Sequence, residues 1–207
     1  MLYQKMNKEQ SELLGDNHIS TNIDTPLRND AFDKSDEEKI HNIQYHFTQI
    51  MEELGLDLAD DSLSGTPYRV AKMYVNEIFN GLNPKNKPKA STFDNKYKYG
   101  EILVEKNITL YSTCEHHFLP IVGKAHIAYI SNGNVVGLSK MNRIVQYYAQ
   151  RPQVQERLTL QIVKELQKVL NTDDVSSSTV TSEFGGIFKN KDKKQEFLDY
   201  IKLPTEY

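Results

Sequence analysis

A chain of 207 residues with 25 Lys and Arg against 28 Asp and Glu has a formal charge of −3, so no global charge draws it to nucleic acid or to a membrane surface. Its 38% hydrophobic and 26% charged residues suit a water-soluble globular domain. No apolar stretch approaches the ~20 residues that cross a bilayer. The single cysteine excludes an internal disulfide framework and makes a reducing cytoplasm the expected setting.

Residues 1–34 are polar, with little apolar periodicity, and read as a mobile arm with one short helix around Glu9 to Leu14. Ser35 and Glu38 form an S-x-x-E capping box. Ile40, Ile43, Phe47, Ile50, Met51 and Leu54 then recur at helical spacing until Gly55. A second helix is expected from Thr66 as N-cap, with Pro67 at its first position and Val70, Met73, Tyr74 and Ile78 on its apolar side, closed by Gly81. The Lys/Asn/Pro-rich stretch from Asn83 to Gly100 reads as a surface loop. Residues 35–100 thus form an N-terminal helical region.

In 101–207 the period changes. Ile102 to Tyr111 and Ile121 to Ile130 carry the β-branched and aromatic residues of strands. Asn132-Gly133 signals a hairpin turn, and Val135 to Leu138 a short return strand. Ser139 is expected to cap a helix reaching about Gln150, and Pro152 to start another with Val154, Leu158, Ile162, Leu166 and Val169 as its stripe. Ser176 to Phe188 reads as one β-rich segment, and Lys193 to Ile201 as a closing helix. The order of elements is that of an α+β fold.

Three groups of residues carry candidate chemistry. Cys114-Glu115-His116-His117 has the C-x-x-H spacing that folds a thiolate and an imidazole onto one metal ion, leaving His116 free to move protons near neutral pH. Two adjacent imidazoles beside the thiol favour metal or acid–base function over a structural cysteine with two satisfied histidines. A catalytic zinc keeps three protein ligands, and no second thiol is present. Ser139, Lys140 and Arg143 gather at a helix start. There the cations oppose the dipole, which favours a bound phosphate over a solvated basic face. Gln155 and Glu156 lie early in a helix, where a carboxylate is favoured; a carboxylate beside an amide also suits the donor edge of a purine, but the local sequence alone favours the helix-start reading.

Taken together, these residues resemble the GTP cyclohydrolase I family. The likeness is carried by Thr66-Pro67-Tyr68-Arg69-Val70-Ala71-Lys72-Met73, by Cys114-Glu115-His116-His117 with Leu119-Pro120, and by Gly123-Lys124-Ala125-His126. It continues through Gly137-Leu138-Ser139-Lys140, Arg151-Pro152-Gln153-Val154-Gln155-Glu156-Arg157-Leu158 and Thr179-Val180-Thr181-Ser182 with Gly185-Gly186. It runs from about Ser35 to Ile201 and leaves out the arm. The resemblance implies a tunnelling fold, an antiparallel sheet with helices on one face that closes into a barrel when subunits form a ring. It implies homodecamers of two pentamers with active sites at subunit borders. The implied reaction is the zinc-dependent opening of the imidazole ring of GTP, with loss of formate and formation of 7,8-dihydroneopterin triphosphate for folate and pterin synthesis. Residue by residue, it implies zinc ligands at Cys114 and His117, a proton-transfer histidine at His116, and a guanine anchor at Glu156 helped by Gln155. Lys140, Arg143 and Arg69 become a triphosphate clamp, with Ser139 near the ribose and phosphates.

The chain departs from that family at one place. The family carries a further strand before the Thr-Val-Thr-Ser segment, bearing a histidine, the second zinc cysteine and a phosphate-binding arginine. Here Asn171-Thr172-Asp173-Asp174-Val175 runs straight into Ser176, so that strand is expected to be missing near 175–176, together with the third zinc ligand. Its neighbours would then keep unpaired edges. Such a gap fits an incomplete or engineered sequence, a non-catalytic subunit, or an enzyme that recruits a ligand from elsewhere. Two other functions compete: a catalytically silent regulatory subunit of a cyclohydrolase decamer, and a purine- or pterin-binding tunnelling-fold protein acting without metal.

Overall fold

A computed structural model describes residues 22–98, 100–179 and 182–204, excluding the Ser182 side chain. The helix expected around Glu9 to Leu14 lies outside the described residues.

Helix α1 spans Asp36–Glu53. Its capping box forms as expected: the Ser35 hydroxyl accepts the Glu38 N–H at 3.2 Å, and the Glu38 carboxylate accepts the Ser35 N–H at 2.7 Å. Of its apolar positions only Met51 is buried, while Ile50 is 51% and Leu54 72% exposed. Among the described residues, much of this stripe is therefore left uncovered.

Helix α2 covers Thr66–Met73, one residue earlier than expected: Gly65 is the N-cap and Thr66 is already helical. The Thr66 hydroxyl, free of a capping role, accepts from Arg69 Nη2 at 2.8 Å. The helix widens into a π turn over Tyr74–Ile78 and tightens into a 3-10 turn over Asn80–Leu82. Gly81 lets that turn meet the neighbouring helix, because its N–H donates to the Gln150 carbonyl at 3.0 Å and a Cβ there would collide with the Tyr147 carbonyl. Gly81→Ala should therefore cost about 2–3 kcal/mol through forced backbone movement, read as a melting temperature lower by roughly 5 °C or more.

The stretch from Asn83 to Gly100 holds more than a loop, since Thr92–Asp94 forms strand β1. Strands β2 (Ile102–Cys114) and β3 (Pro120–Ile130) pair antiparallel, with a register shift between Glu105 and Ile108. Asn107 takes a left-handed conformation at that shift (φ 63°), and its N–H donates to His126 Nδ1 at 3.3 Å. The Asn132-Gly133 turn is present, with Gly133 at φ 89°. Strand β4 (Asn134–Val136) nevertheless pairs with β1, not with β3 as a hairpin would. The end of β3 has no edge to offer, because Ile130 is paired with Ile102 on one side and Tyr129 with Val175 on the other.

Helix α3 spans Leu138–Ala149 with Gly137 as its N-cap, so the expected cap Ser139 is instead its second residue and exposed. The Gly137 carbonyl takes the N–H groups of Lys140 and Met141, and no side chain caps the helix. Pro152 does not begin a helix either. Pro152–Gln153 forms strand β5, parallel to Thr113–Cys114, and α4 runs from Gln155 to Leu170. The expected single segment from Ser176 to Phe188 divides into β6 (Val175–Ser178), β7 (Ser182–Phe184) and a 3-10 turn at Gly186–Lys189. Helix α5 covers Lys191–Lys202.

The main sheet has the order β5-β2-β3-β6-β7. Alternation along β3 assigns its two faces: Ala125, Ile127 and Tyr129 join Ile144, Val145, Leu158, Ile162 and Leu166 beneath α3 and α4. Ala128 faces the other way, with Phe188 and Phe197 beneath α5. Burying such side chains contributes on the order of 2 kcal/mol each. This mixed helix-and-sheet architecture is the expected α+β arrangement. Strand β6 covers the outer edge of β3 only from His126 to Tyr129, so the stretch from Pro120 to Ala125 has no strand partner on that edge among the described residues. No described helix is long and apolar enough to cross a membrane.

Candidate active site

Cys114 ends β2, and the chain turns through Glu115, His116 and His117 before re-entering β3. Two backbone bonds hold the turn: Cys114 N–H donates to the Leu119 carbonyl at 2.8 Å, and Phe118 N–H donates to the Cys114 carbonyl at 2.9 Å. Phe118, at φ 57°, packs edge-on against Phe79 with ring centroids 5.4 Å apart. A cavity of about 470 Å³ opens beside it, lined by Met73, Tyr74, Phe79, Phe118 and Gln150 among others.

Within the turn, His116 Nδ1 lies 3.8 Å from Cys114 Sγ, and His116 Nε2 lies 3.9 Å from a Glu115 carboxylate oxygen. The rings of His116 and His117 stand nearly perpendicular with centroids 6.4 Å apart, and both histidines are exposed. Among the described residues no group of three or more His, Cys, Asp or Glu side chains could hold a metal ion.

The sheet brings the start of α4 to this turn. Cys114 pairs with Gln153, and the Gln153 carbonyl accepts the Glu115 N–H at 3.1 Å. Gln155 and Glu156 follow directly as the first residues of α4, with Glu156 exposed. The next residue, Arg157, is buried and pairs with Glu115 through both guanidinium Nη atoms. Sequence reading gave no role to Arg157 or Glu115. Their only signal was a basic residue after Glu156 and an acidic one inside the Cys-His run, and it took the fold to show that they meet.

Ser139, Lys140 and Arg143 lie elsewhere. Gln146 donates to the Thr109 carbonyl, and Asn142 hydrogen-bonds Glu105, so α3 runs alongside β2 with its start at the end remote from Cys114. At ~3.3 Å per strand residue and ~1.5 Å per helix residue, Lys140 and Arg143 lie roughly 20–30 Å from Cys114 in the same chain. The exposed Arg69 turns its Nη2 to the Thr66 hydroxyl and, at 3.1 Å, to the Ser62 carbonyl. One chain therefore unites Cys114, His116 and His117 with Gln155 and Glu156, and keeps the cations of α3 apart.

Comparison with known proteins gives the family. A model described as GTP cyclohydrolase I matches residues 43–178, well over half of the chain. The chain belongs to the GTP cyclohydrolase I family. A GTP cyclohydrolase 1 from Flavobacterium johnsoniae is 62% identical, with 97% of this chain and 99% of the relative aligned. The GTP cyclohydrolase 1 proteins of Aeromonas hydrophila (49% identical, 87% of this chain and 91% of the relative) and Yersinia enterocolitica (46%, 94% and 96%) are similar along most of their lengths. Membership in a family of GTP-opening hydrolases makes this an enzyme fold acting on GTP. The Flavobacterium alignment spans 220 positions, more than the 207 residues of this chain, so that cyclohydrolase carries residues with no counterpart here.

Strand β2 places a perturbed acid beside the cation-bearing end of α3. Burial pushes the Glu105 carboxyl up to about 7, opposed by the Asn142 hydrogen bond, and its Oε2 is buried without a protein partner. Its folded value lies above the ordinary 4.5, so between about pH 4.5 and 7 the folded chain holds a proton that the unfolded chain has released. This contribution is fully present below that window and is lost as pH rises through it. Because Glu105 is only half-buried, solvent reduces the effect to about 1 kcal/mol. Thermal melts of Glu105→Gln should therefore show a smaller loss of stability from pH 5 to pH 8 than the unsubstituted protein does.

Proposed function

We propose that this protein opens the imidazole ring of GTP at sites formed between its own subunits, releasing formate and yielding 7,8-dihydroneopterin triphosphate. The observation that carries this reading is the β2–β5 pairing, which sets Gln155 and Glu156 beside the Cys114–His117 turn. The Glu156 carboxylate accepts from guanine N1–H and the 2-amino group, with Gln155 completing the edge, and so directs the imidazole carbon toward the turn. His116, exposed at the turn, exchanges protons with the ring nitrogens as water adds at C8. The C8–N9 bond then breaks to leave a formamide on N7, a second water hydrolyses it so that the carbon leaves as formate, and the ribose carbons rearrange and close on the freed amine with loss of water.

The triphosphate falls to Lys140, Arg143 and Arg69, with Ser139 at the ribose side. Those of α3 sit too far from Cys114 in one chain, so a neighbouring subunit supplies them. Homo-oligomerisation is further supported by the uncovered stripe of α1 and by exposed Tyr111, Val122 and Leu119 on the β2–β3 hairpin. In a ring such borders repeat head to tail, and one pair of surfaces serves every site.

Zinc would supply water activation in this reaction. Cys114 and His117 give it two protein donors, so a zinc centre here requires a third ligand from outside the described residues. The open outer edge of β3, and the relative's additional residues, support the loss of a strand at 175–176. That same observation favours one alternative, a silent subunit that assembles with full-length cyclohydrolase partners. Formate release by the purified chain separates the two: a silent subunit binds GTP and releases none.

A further inference from the structure

We propose that Arg157 is a positioning residue that locks the Cys114–His117 turn and couples it to the N-terminal arm. This rests on the reading of that turn as part of the active site. Arg157 is 3% exposed. Its Nη1 and Nη2 take the two Glu115 oxygens, the second at 3.3 Å, while its Nε donates to the Asn22 carbonyl at 2.7 Å. One turn further along α4, Gln161 donates to the next arm carbonyl, that of Ile23, at 3.0 Å. Gln161 also accepts from Gln153, the residue whose carbonyl holds the Glu115 N–H.

Two consecutive arm carbonyls are thus read by side chains four residues apart on one helix face. Both side chains lead back to Glu115, one directly and one through Gln153. A buried charge pair tolerates no half-measures, because loss of either member leaves the other desolvated. Arg157 is suited to the junction by geometry. Its planar fork serves a carboxylate on one side while Nε serves a carbonyl on another, which a lysine ammonium at the same place does not reproduce. Coupling of this kind is reciprocal: whatever orders the turn retains the arm, and release of the arm loosens the turn.

Hydrogen exchange of the full-length chain, followed by mass spectrometry in peptides covering 22–34 and 112–120, tests this without GTP or metal. It therefore fails or succeeds independently of the proposed reaction. Arg157→Lys should speed exchange in both peptides by roughly tenfold while leaving the buried part of α4 unchanged. Glu115→Gln is the sharper variant, since Glu115 is partly exposed and, among the described residues, has no hydrogen bond to the arm. It should still loosen 22–34, because the Arg157 fork loses its charged partner. Unchanged arm exchange in Glu115→Gln would overturn the coupling. Uniformly faster exchange across the whole chain in both variants would also overturn it, by reducing Arg157 to a general stabiliser.

Discussion

Glu156→Gln should weaken GTP binding roughly a hundredfold while leaving the melting temperature within about 2 °C. The two halves of this expectation have separate causes. Glu156 is exposed and lies in the first turn of α4. A neutral isostere there gives up at most a few tenths of a kcal/mol of helix-dipole interaction, as surface changes usually do. In the proposed complex, however, its carboxylate would accept two hydrogen bonds from the guanine edge. Replacing one oxygen by an amide sets donor against donor, at a cost of about 2–3 kcal/mol. Calorimetric titration with GTP and with an analogue lacking the 2-amino group checks it. The unsubstituted protein should prefer GTP, and the variant should lose most of that preference. Equal affinity of the two proteins for GTP would remove Glu156 from the site.

A second large effect follows from the distance between the two halves of the site. Lys140→Ala and Glu156→Gln should each abolish high-affinity GTP binding alone, yet co-assembled subunits of the two variants should regain it. Intact borders arise wherever an unaltered α3 faces an unaltered α4, and random mixing makes these roughly a quarter of all borders in a head-to-tail ring. Stoichiometry measured after joint denaturation and refolding reads this directly. A site contained in one chain could show no such rescue, because every subunit in the mixture carries one of the two changes. No recovery on mixing would mean that both residues serve a site within one subunit, or that the ring does not form.

Local features of the fold were legible in the sequence, and features decided by competition for edges were not. The Ser35–Glu38 box lies within one turn, and its hydrogen bonds depend on nothing else, so it formed as read. Asn132-Gly133 produced its turn for the same reason. The partner of β4 depended on whether an edge of β3 remained open, which turns on β2 and β6, neither of them adjacent in sequence to that turn. Pro152 illustrates the same limit: proline suits a first helical turn, but here the following residue is claimed by Cys114 in a parallel pairing. Ser139 lost its expected cap because Gly137, extended and two residues earlier, already supplies the carbonyl that starts α3.

For the site, the residue types and their order carried the Cys114–His117 turn and the Gln155–Glu156 pair. The fold added what bridges them. Arg157 and Glu115 are 42 positions apart, and a buried arginine looks like any other charged residue until its partner is known. The separation of the α3 cations from Cys114 was equally hidden, since spacing along a chain does not say which way a helix lies on a strand.

The decisive measurement is formate release from GTP by the purified chain, quantified together with 7,8-dihydroneopterin triphosphate. The reading above predicts both products in equal amounts, with their formation lost in Glu156→Gln. GTP binding with no formate, from protein whose intact mass matches these 207 residues, would contradict it and leave the chain a silent member of the cyclohydrolase family.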